Sequence, residues 1–275
     1  FMLKLKKYLY IFFVFFTHHI QAVQIGDIAP DFKASTTKGD INFHTWANNS
    51  WVILFSHPGD FTPVCTTELA SVAQLQPDFK ERNVKVIALS GDSLADHLEW
   101  IPHINAFKDS LKQNKDVLSI IDNFGEDTDV NYPIIADEDF SISSLYGMYH
   151  PNAKPNSNSL GTPNKETIRA VYIIDPNKVV QTILIYPKNI GRNFNEIIRI
   201  VDALQVSQQY KISTPANWQP GDPVIVSNEI PLEEISEKYD TKEINIFKNY
   251  LKFIDHPGFF KGSDKSKKRS KGGFK

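Results

Sequence analysis

Apolar and polar positions divide the chain into short strands alternating with amphipathic helices. Trp51-Val-Ile-Leu-Phe-Ser56 is a continuous apolar run rich in β-formers and closed by Pro58-Gly59, the pattern of a strand buried on both faces. From Cys65 the period becomes helical: Leu69, Val72, Ala73 and Leu75 share a face, and Pro77 predicts the far end. Val84–Ser90 reads as a second strand, Gly91-Asp92-Ser93 as a turn, and Leu94 to Phe107, with Trp100, as a second helix. This β-α-β-α alternation predicts parallel pairing with right-handed crossovers.

Further along, Pro133–Asp137 predicts a short strand and Phe140–Tyr146 a short helix. Thr167–Ile174 and Val179–Tyr186, separated by Asp175-Pro-Asn177, predict a hairpin, and Asn193–Gln209 an amphipathic helix with Ile197, Ile198, Val201 and Leu204 inward. Asn105–Tyr132 is polar and acidic, and Pro151–Lys165 is rich in Pro, Asn and Ser, so both read as surface loops. After Thr214-Pro215, the stretch Trp218-Gln-Pro-Gly-Asp-Pro223 reads as a hinge into a small second unit.

Charge changes the picture only at the ends. Lys261–Lys275 carries seven Lys or Arg against one Asp, so the remaining 23 basic and 31 acidic residues leave the body at −8. A nucleic-acid-binding body is not expected of such a balance. The tail, 259–275, reads as a solvated, disordered end or as a targeting segment. At the other end, Lys4, Lys6 and Lys7 precede Tyr8–Phe16 and then Ile20-Gln-Ala22, the pattern of a secretory signal peptide over 1–22. Its apolar run is too short for a stable membrane span, and it predicts entry to the secretory pathway, with a cytoplasmic or organellar location as the alternative.

Cys65 is the sole cysteine, which rules out an internal disulfide framework. Such a thiol is buried and inert, paired between chains, or reactive. The reactive species is the thiolate, a minor form of a free cysteine at neutral pH. A cysteine in the first turn of a helix faces unpaired N–H groups and the positive end of the dipole, which favour the anion. Glu68 opposes it unless a cation or capping occupies the carboxylate, so an arginine is expected nearby. Of the five arginines, Arg169 lies inside a predicted core strand, where a charge is costly unless paired. It is either the partner of the thiolate or an edge-strand arginine facing solvent. Thr62 can donate and accept a hydrogen bond, as holding a hydroperoxide requires, and Pro58 can screen one side of the sulfur. Thiolate attack on a peroxide yields a sulfenic acid, which needs a second thiol that this chain does not contain.

The segment His57-Pro58-Gly59-Asp60-Phe61-Thr62-Pro63-Val64-Cys65-Thr66-Thr67-Glu68 resembles the active-site segment of peroxiredoxins, the AhpC/TSA family, and within it the one-cysteine subgroup that includes peroxiredoxin 6. Asp27–Phe32, Ala88–Ser90, Pro133–Ile135, Ile168–Val171, Tyr186-Pro187, Gly191–Asn193 and Asn217-Trp218 extend the resemblance over roughly Ile25 to Tyr250. It implies an α/β, thioredoxin-like fold with a mixed central sheet flanked by helices over 25–212, and a small α+β dimerisation domain over 213–258. It implies Cys65 as peroxidatic nucleophile, Thr62 and Arg169 as peroxide- and thiolate-binding groups, Pro58 as shield, His57 as active-site histidine, and Glu68 and Arg192 as supporting charges. It implies a peroxide substrate, an external thiol such as glutathione or a thioredoxin-like protein, a homodimer, and no cofactor or metal. A redox-sensing or chaperone scaffold using the same cysteine is the alternative. Members of the subgroup also carry a lipase-like Ser-His-Asp site. Ser50 and His44 match two of its positions, but the third falls on Asn177, two residues from Asp175, and Asn48 and Val52 replace the glycines. An amide cannot stabilise an imidazolium, so Ser50 reads better as an ordinary residue heading a buried strand.

Overall fold

A computed structural model of the chain describes residues 23–111, 129–149, 166–241 and 243–257. The predicted leader, the basic tail and the Pro151–Lys165 loop lie outside the described residues, as does the middle of the acidic insertion. The elements run β1 (Lys33–Ala34), β2 (Ile41–Asn42), α1 (Phe43–Ala47), β3 (Trp51–Ser56), α2 (Pro63–Gln74), α3 (Gln76–Glu81), β4 (Val84–Ser90) and α4 (Leu94–Leu111). They continue with β5 (Ile134–Ala136), α5 (Ser141–Tyr146), β6 (Arg169–Ile174), β7 (Val180–Tyr186) and α6 (Phe194–Tyr210). The second unit contributes β8 (Ile212–Ser213), β9 (Val224–Val226), α7 (Leu232–Tyr239), β10 (Ile244–Lys248) and β11 (Leu251–Ile254).

The central sheet has the order β5-β4-β3-β6-β7. Strand β3 pairs parallel with β4, and β4 with β5, whereas β3–β6 and β6–β7 are antiparallel. The β-α-β-α reading accounts for the parallel half and the hairpin for the antiparallel half, which together make the sheet mixed. Alternation along β3 sends Ile53 and Phe55 into one core with Leu69, Val72, Trp100, Ile197 and Val201 from α2, α4 and α6. Val52 and Leu54 enter a second core with Phe43, Ile142 and Tyr146 from α1 and α5. Helices on both faces explain why β3 carries no polar alternation.

Two local expectations need correction, and one further stretch gains elements. The helix after Cys65 is two helices: α2 stops at Gln74, and Pro77 sits in the first turn of α3, where its missing N–H is tolerated. Helix α4 runs past Phe107 to Leu111, so Asn105 is helical rather than the start of a loop, and its side chain accepts from the Val130 N–H at 3.0 Å. Before Trp51, a stretch on which the apolar pattern made no prediction, lie β1, β2 and α1, the last capped by the Asn42 side chain on Thr45 N–H.

The C-terminal sheet, order β10-β11-β9-β8, is wholly antiparallel. Its core joins Trp218, Val224, Val226, Ile235 and Ile254 to Val206, which belongs to α6. No helix among the described residues is long and apolar enough to cross a membrane.

Candidate active site

The site lies at the carboxyl end of β3, where the chain leaves the sheet through Ser56 and His57 and enters α2. Thr62 is the N-cap residue of α2, and its hydroxyl donates to the Gly59 carbonyl at 2.8 Å. With its proton committed there, Thr62 presents lone pairs to an incoming O–H. Pro63 occupies the start of the helix, and Cys65 falls in the first turn, among N–H groups with no intrahelical acceptor. Cys65 is fully buried, while Phe61 in the preceding loop is 49% exposed with φ of +52°. Pro58, three residues before Phe61, is also buried.

Arg169 opens β6, antiparallel to β3, and its guanidinium reaches across to α2. Its Nη1 lies 3.4 Å from Cys65 Sγ and 2.6 Å from Glu68 Oε2, and its Nε donates to the Lys188 carbonyl at 2.7 Å. Arg192, in the loop before α6, grips the same carboxylate in a fork: Nε to Oε1 at 2.9 Å and Nη2 to Oε2 at 2.6 Å, with its backbone N–H on Oε1 at 2.8 Å. Its Nη1 is held by the Ser56 and Ala170 carbonyls, and its plane lies over Phe55. Burial alone would push the Glu68 carboxyl up, but Arg192 and then Arg169 outweigh it and hold the group below its usual range. Glu68 therefore does not oppose an anion at Cys65. Two guanidinium charges meet one carboxylate, which leaves a net positive charge beside the Cys65 sulfur.

Behind the loop lies a second buried cluster. His57 Nε2 is 3.0 Å from Asp60 Oδ1, and Asp60 Oδ2 is 2.5 Å from Nδ1 of His97 on α4, whose Nε2 lies 3.1 Å from the Ile135 carbonyl. The backbone of His57 is fixed from both sides, donating to Leu89 and accepting from Thr167 Oγ1. His57, Asp60 and Asp92 place ligand-type atoms within 4.8 Å of one another. Their carboxylate oxygens already accept from His57, His97, Ser90 and the Asp60 N–H, so the grouping is a hydrogen-bonded cluster.

The structure thus gathers Cys65, Arg169, Glu68 and Arg192 into one bonded group, with Thr62 and Pro58 in the loop that leads to it. It does not gather the hydrolase trio. Ser50 donates to Asn83 Oδ1 at 3.1 Å, and the His44 ring donates to the Ala29 carbonyl at 2.7 Å. Asp175 accepts from Asn177 and Val179 N–H and from the Gln181 and Gln208 amides. Among the described residues no hydrogen bond joins these three side chains.

Sequence reasoning gave no role to Ser56, Asp60, Asp92 and His97. Ser56 stitches β3 to β6, its hydroxyl donating to the Ile168 carbonyl and accepting from Ala170 N–H. His97 left a trace: with Trp100 and Ile104 it forms an i, i+3, i+7 stripe, placing an imidazole on the buried face of α4.

A strained loop feeding a buried thiol at a helix start, with an arginine on the sulfur and a sheet of mixed sense behind it, defines a thiol peroxidase of thioredoxin-like architecture. Residues 25–183 match the AhpC/TSA family and residues 203–242 the C-terminal domain of 1-Cys peroxiredoxin, and the chain belongs to this family as a one-cysteine peroxiredoxin. It is 40% identical over 235 residues to 1-Cys peroxiredoxin of Dictyostelium discoideum, covering 86% of each chain. It is 42% identical to Peroxiredoxin-6 of Homo sapiens, covering 85% of this chain and 97% of that one. A solved cysteine-to-serine mutant of the Peroxiredoxin 6 of Arenicola marina superposes with a TM-score of 0.69 at 42% identity, covering 86% of this chain and 100% of that chain. The yeast mitochondrial 1-Cys peroxiredoxin gives 0.67 at 37%, covering 85% and 99%.

Proposed function

We propose that Cys65 reduces hydrogen peroxide and organic hydroperoxides and that an external thiol, glutathione or a thioredoxin-like protein, regenerates it. The observation that carries this reading is the Arg169 guanidinium, which donates to Cys65 Sγ at 3.4 Å while Glu68 and Arg192 hold the surrounding charge. The thiolate attacks one peroxide oxygen. The S–O bond forms, the O–O bond breaks, sulfur is oxidised to the sulfenic acid, and the departing oxygen takes a proton to leave as water or an alcohol. Thr62 accepts from the peroxide O–H, Arg169 steadies the charge on the reacting oxygens, and Pro58 screens the sulfur from water. Because Cys65 is fully buried, peroxide reaches it when the loop around Phe61 or the first turn of α2 opens. No second cysteine exists to form an internal disulfide, so the sulfenic acid passes to the external thiol. In yeast mitochondrial 1-Cys peroxiredoxin thiol resolving runs via glutathione/thioredoxin systems, which supports that pairing.

Residues 25–212 carry the chemistry in this reading, and 213–258 serve assembly as a homodimer. The edge strand β7, with Ile185 63% exposed, and Phe247 and Tyr250 at the β10–β11 turn offer apolar surface for a second copy. The leader over 1–22 directs the chain into the secretory pathway, as its lysines and aromatic run suggest.

Peroxide consumption by the purified protein with glutathione and with a thioredoxin system, beside a Cys65→Ser variant, tests the reading. Turnover with one of the two thiols and none in the variant is expected. Turnover retained without Cys65 would overturn it.

A further inference from the structure

In Asn48-Asn49-Ser50 an asparagine is followed two positions on by a hydroxyl residue with no proline between, and Asn48 is the only asparagine in the chain so placed. The pattern is the acceptor of asparagine-linked oligosaccharide and belongs on surface turns of exported proteins. Asn48 sits on such a turn: it closes α1 with φ of +49°, it and Asn49 are exposed, and β3 begins three residues later. Its backbone is anchored, the N–H donating to the His44 carbonyl and the carbonyl accepting from Lys178 Nζ. Among the described residues nothing bonds to its side-chain amide. A turn with positive φ explains an asparagine at 48 but asks nothing of residue 50. Ser50 takes no part in a hydrolase trio; it is 8% exposed, and its hydroxyl donates to Asn83 Oδ1.

We propose that Asn48 carries an asparagine-linked glycan, added while its segment is still unfolded. The inference rests on the reading above in which the leader brings the chain into the secretory pathway. The donor there is a lipid-linked oligosaccharide diphosphate. Asn48 Nδ2 bonds to the anomeric carbon, the bond from that carbon to the diphosphate oxygen breaks, Nδ2 gives up one proton, and nothing is oxidised or reduced. The order of events follows from Ser50. The transferase must reach the hydroxyl as well as the amide. In the folded protein that hydroxyl is enclosed against Asn83, 33 positions further along. Transfer therefore precedes the docking of Asn83, and the folded chain is not a substrate. The position also keeps the sugar clear of the chemistry. Strand β3, Trp51–Ser56, separates the turn from the loop that carries Cys65, a length of about 20 Å, so the glycan lies at the opposite end of the strand from the thiol.

Translation of the full chain into microsomes, which hold the transferase and its donor, tests this. Wild-type chain protected from added protease is expected to run as one heavier band that peptide N-glycosidase collapses, converting the Asn48 amide to a carboxylate in the peptide mass spectrum. Asn48→Asp and Ser50→Ala are expected to lose the heavier band, and Ser50→Thr to keep it. A protected wild-type chain with Asn48 unmodified overturns the proposal. Should the chain's own leader fail to carry it in, the same chain with residues 1–22 exchanged for a leader of proven export decides the matter. Modification there keeps the acceptor assignment while the secretory reading falls, and its absence overturns the assignment as well. Folded, unmodified protein added to opened microsomes is expected to stay unmodified, and its modification overturns the order of events.

Discussion

Polar side chains from separate segments lie toward each end of strand β3, and the two sets differ in how they are satisfied. At the carboxyl end, Arg169 and Arg192 both bind Glu68, Arg169 also binds the sulfur, and two guanidinium groups meet one carboxylate. At the amino end, Ser50, His44 and Asp175 are also drawn from three separate segments, but each is spent on a neighbouring backbone or amide group. Ser50 and Asp175 are buried too, at 8% and 3% exposed. Burial and residue type therefore do not make a site. Side chains that leave a valence for a reactant do, and those that close on the scaffold do not.

The largest break in this comparison is Cys65→Ser, which is expected to abolish peroxide consumption in a stopped-flow or coupled assay, because an unactivated hydroxyl does not replace a thiolate. Arg169→Lys keeps the charge but loses the planar fork that spans Cys65, Glu68 and the Lys188 carbonyl. A fall of about 10²–10³ in kcat/KM is expected, as when one preorganised donor is removed from a reacting centre. Glu68→Gln leaves two buried guanidinium groups short of their counter-ion, and denaturant unfolding at neutral pH should register a loss of about 3–5 kcal/mol. The same carboxylate sets an acid limit. Its folded-state pKa lies below the ordinary value of 4.5, so its contribution is complete above 4.5 and fades as pH falls through the folded value. Melting temperatures measured downward from neutral pH should drop in that acid window, and the gap to Glu68→Gln should narrow there. The smallest effect belongs to the other end of the strand: Ser50→Ala forfeits one hydrogen bond to Asn83, about 1 kcal/mol, and should leave peroxide turnover unchanged.

The chemistry at the carboxyl end was legible because its requirements are local. A lone thiol at a helix start needs a cation, a nearby carboxylate needs one too, and an arginine inside the apolar run Ile168–Ile174 had to be paired with something. The period change at Cys65 likewise marked the strand-to-helix turn. What stayed hidden depends on distant contact. Asp60 is one acidic residue in a loop until α4 brings His97 to 2.5 Å, 37 positions away. Ser56 reads as the end of a strand until β6 pairs with it. The break between α2 and α3 was missed because Pro77 is as compatible with the first turn of a new helix as with the end of an old one. The elements before Trp51 are too short to show periodicity.

Helix α6 is a party wall. Ile197 and Val201 on its first half close the core behind the catalytic sheet, Val206 further along lines the core of the C-terminal sheet, and Arg199, between Ile197 and Val201, donates to the Trp218 carbonyl. Stripping away the C-terminal strands would bare one flank of the helix whose other flank roofs β3, so the appendage is not detachable trim and the two halves stand or fall together.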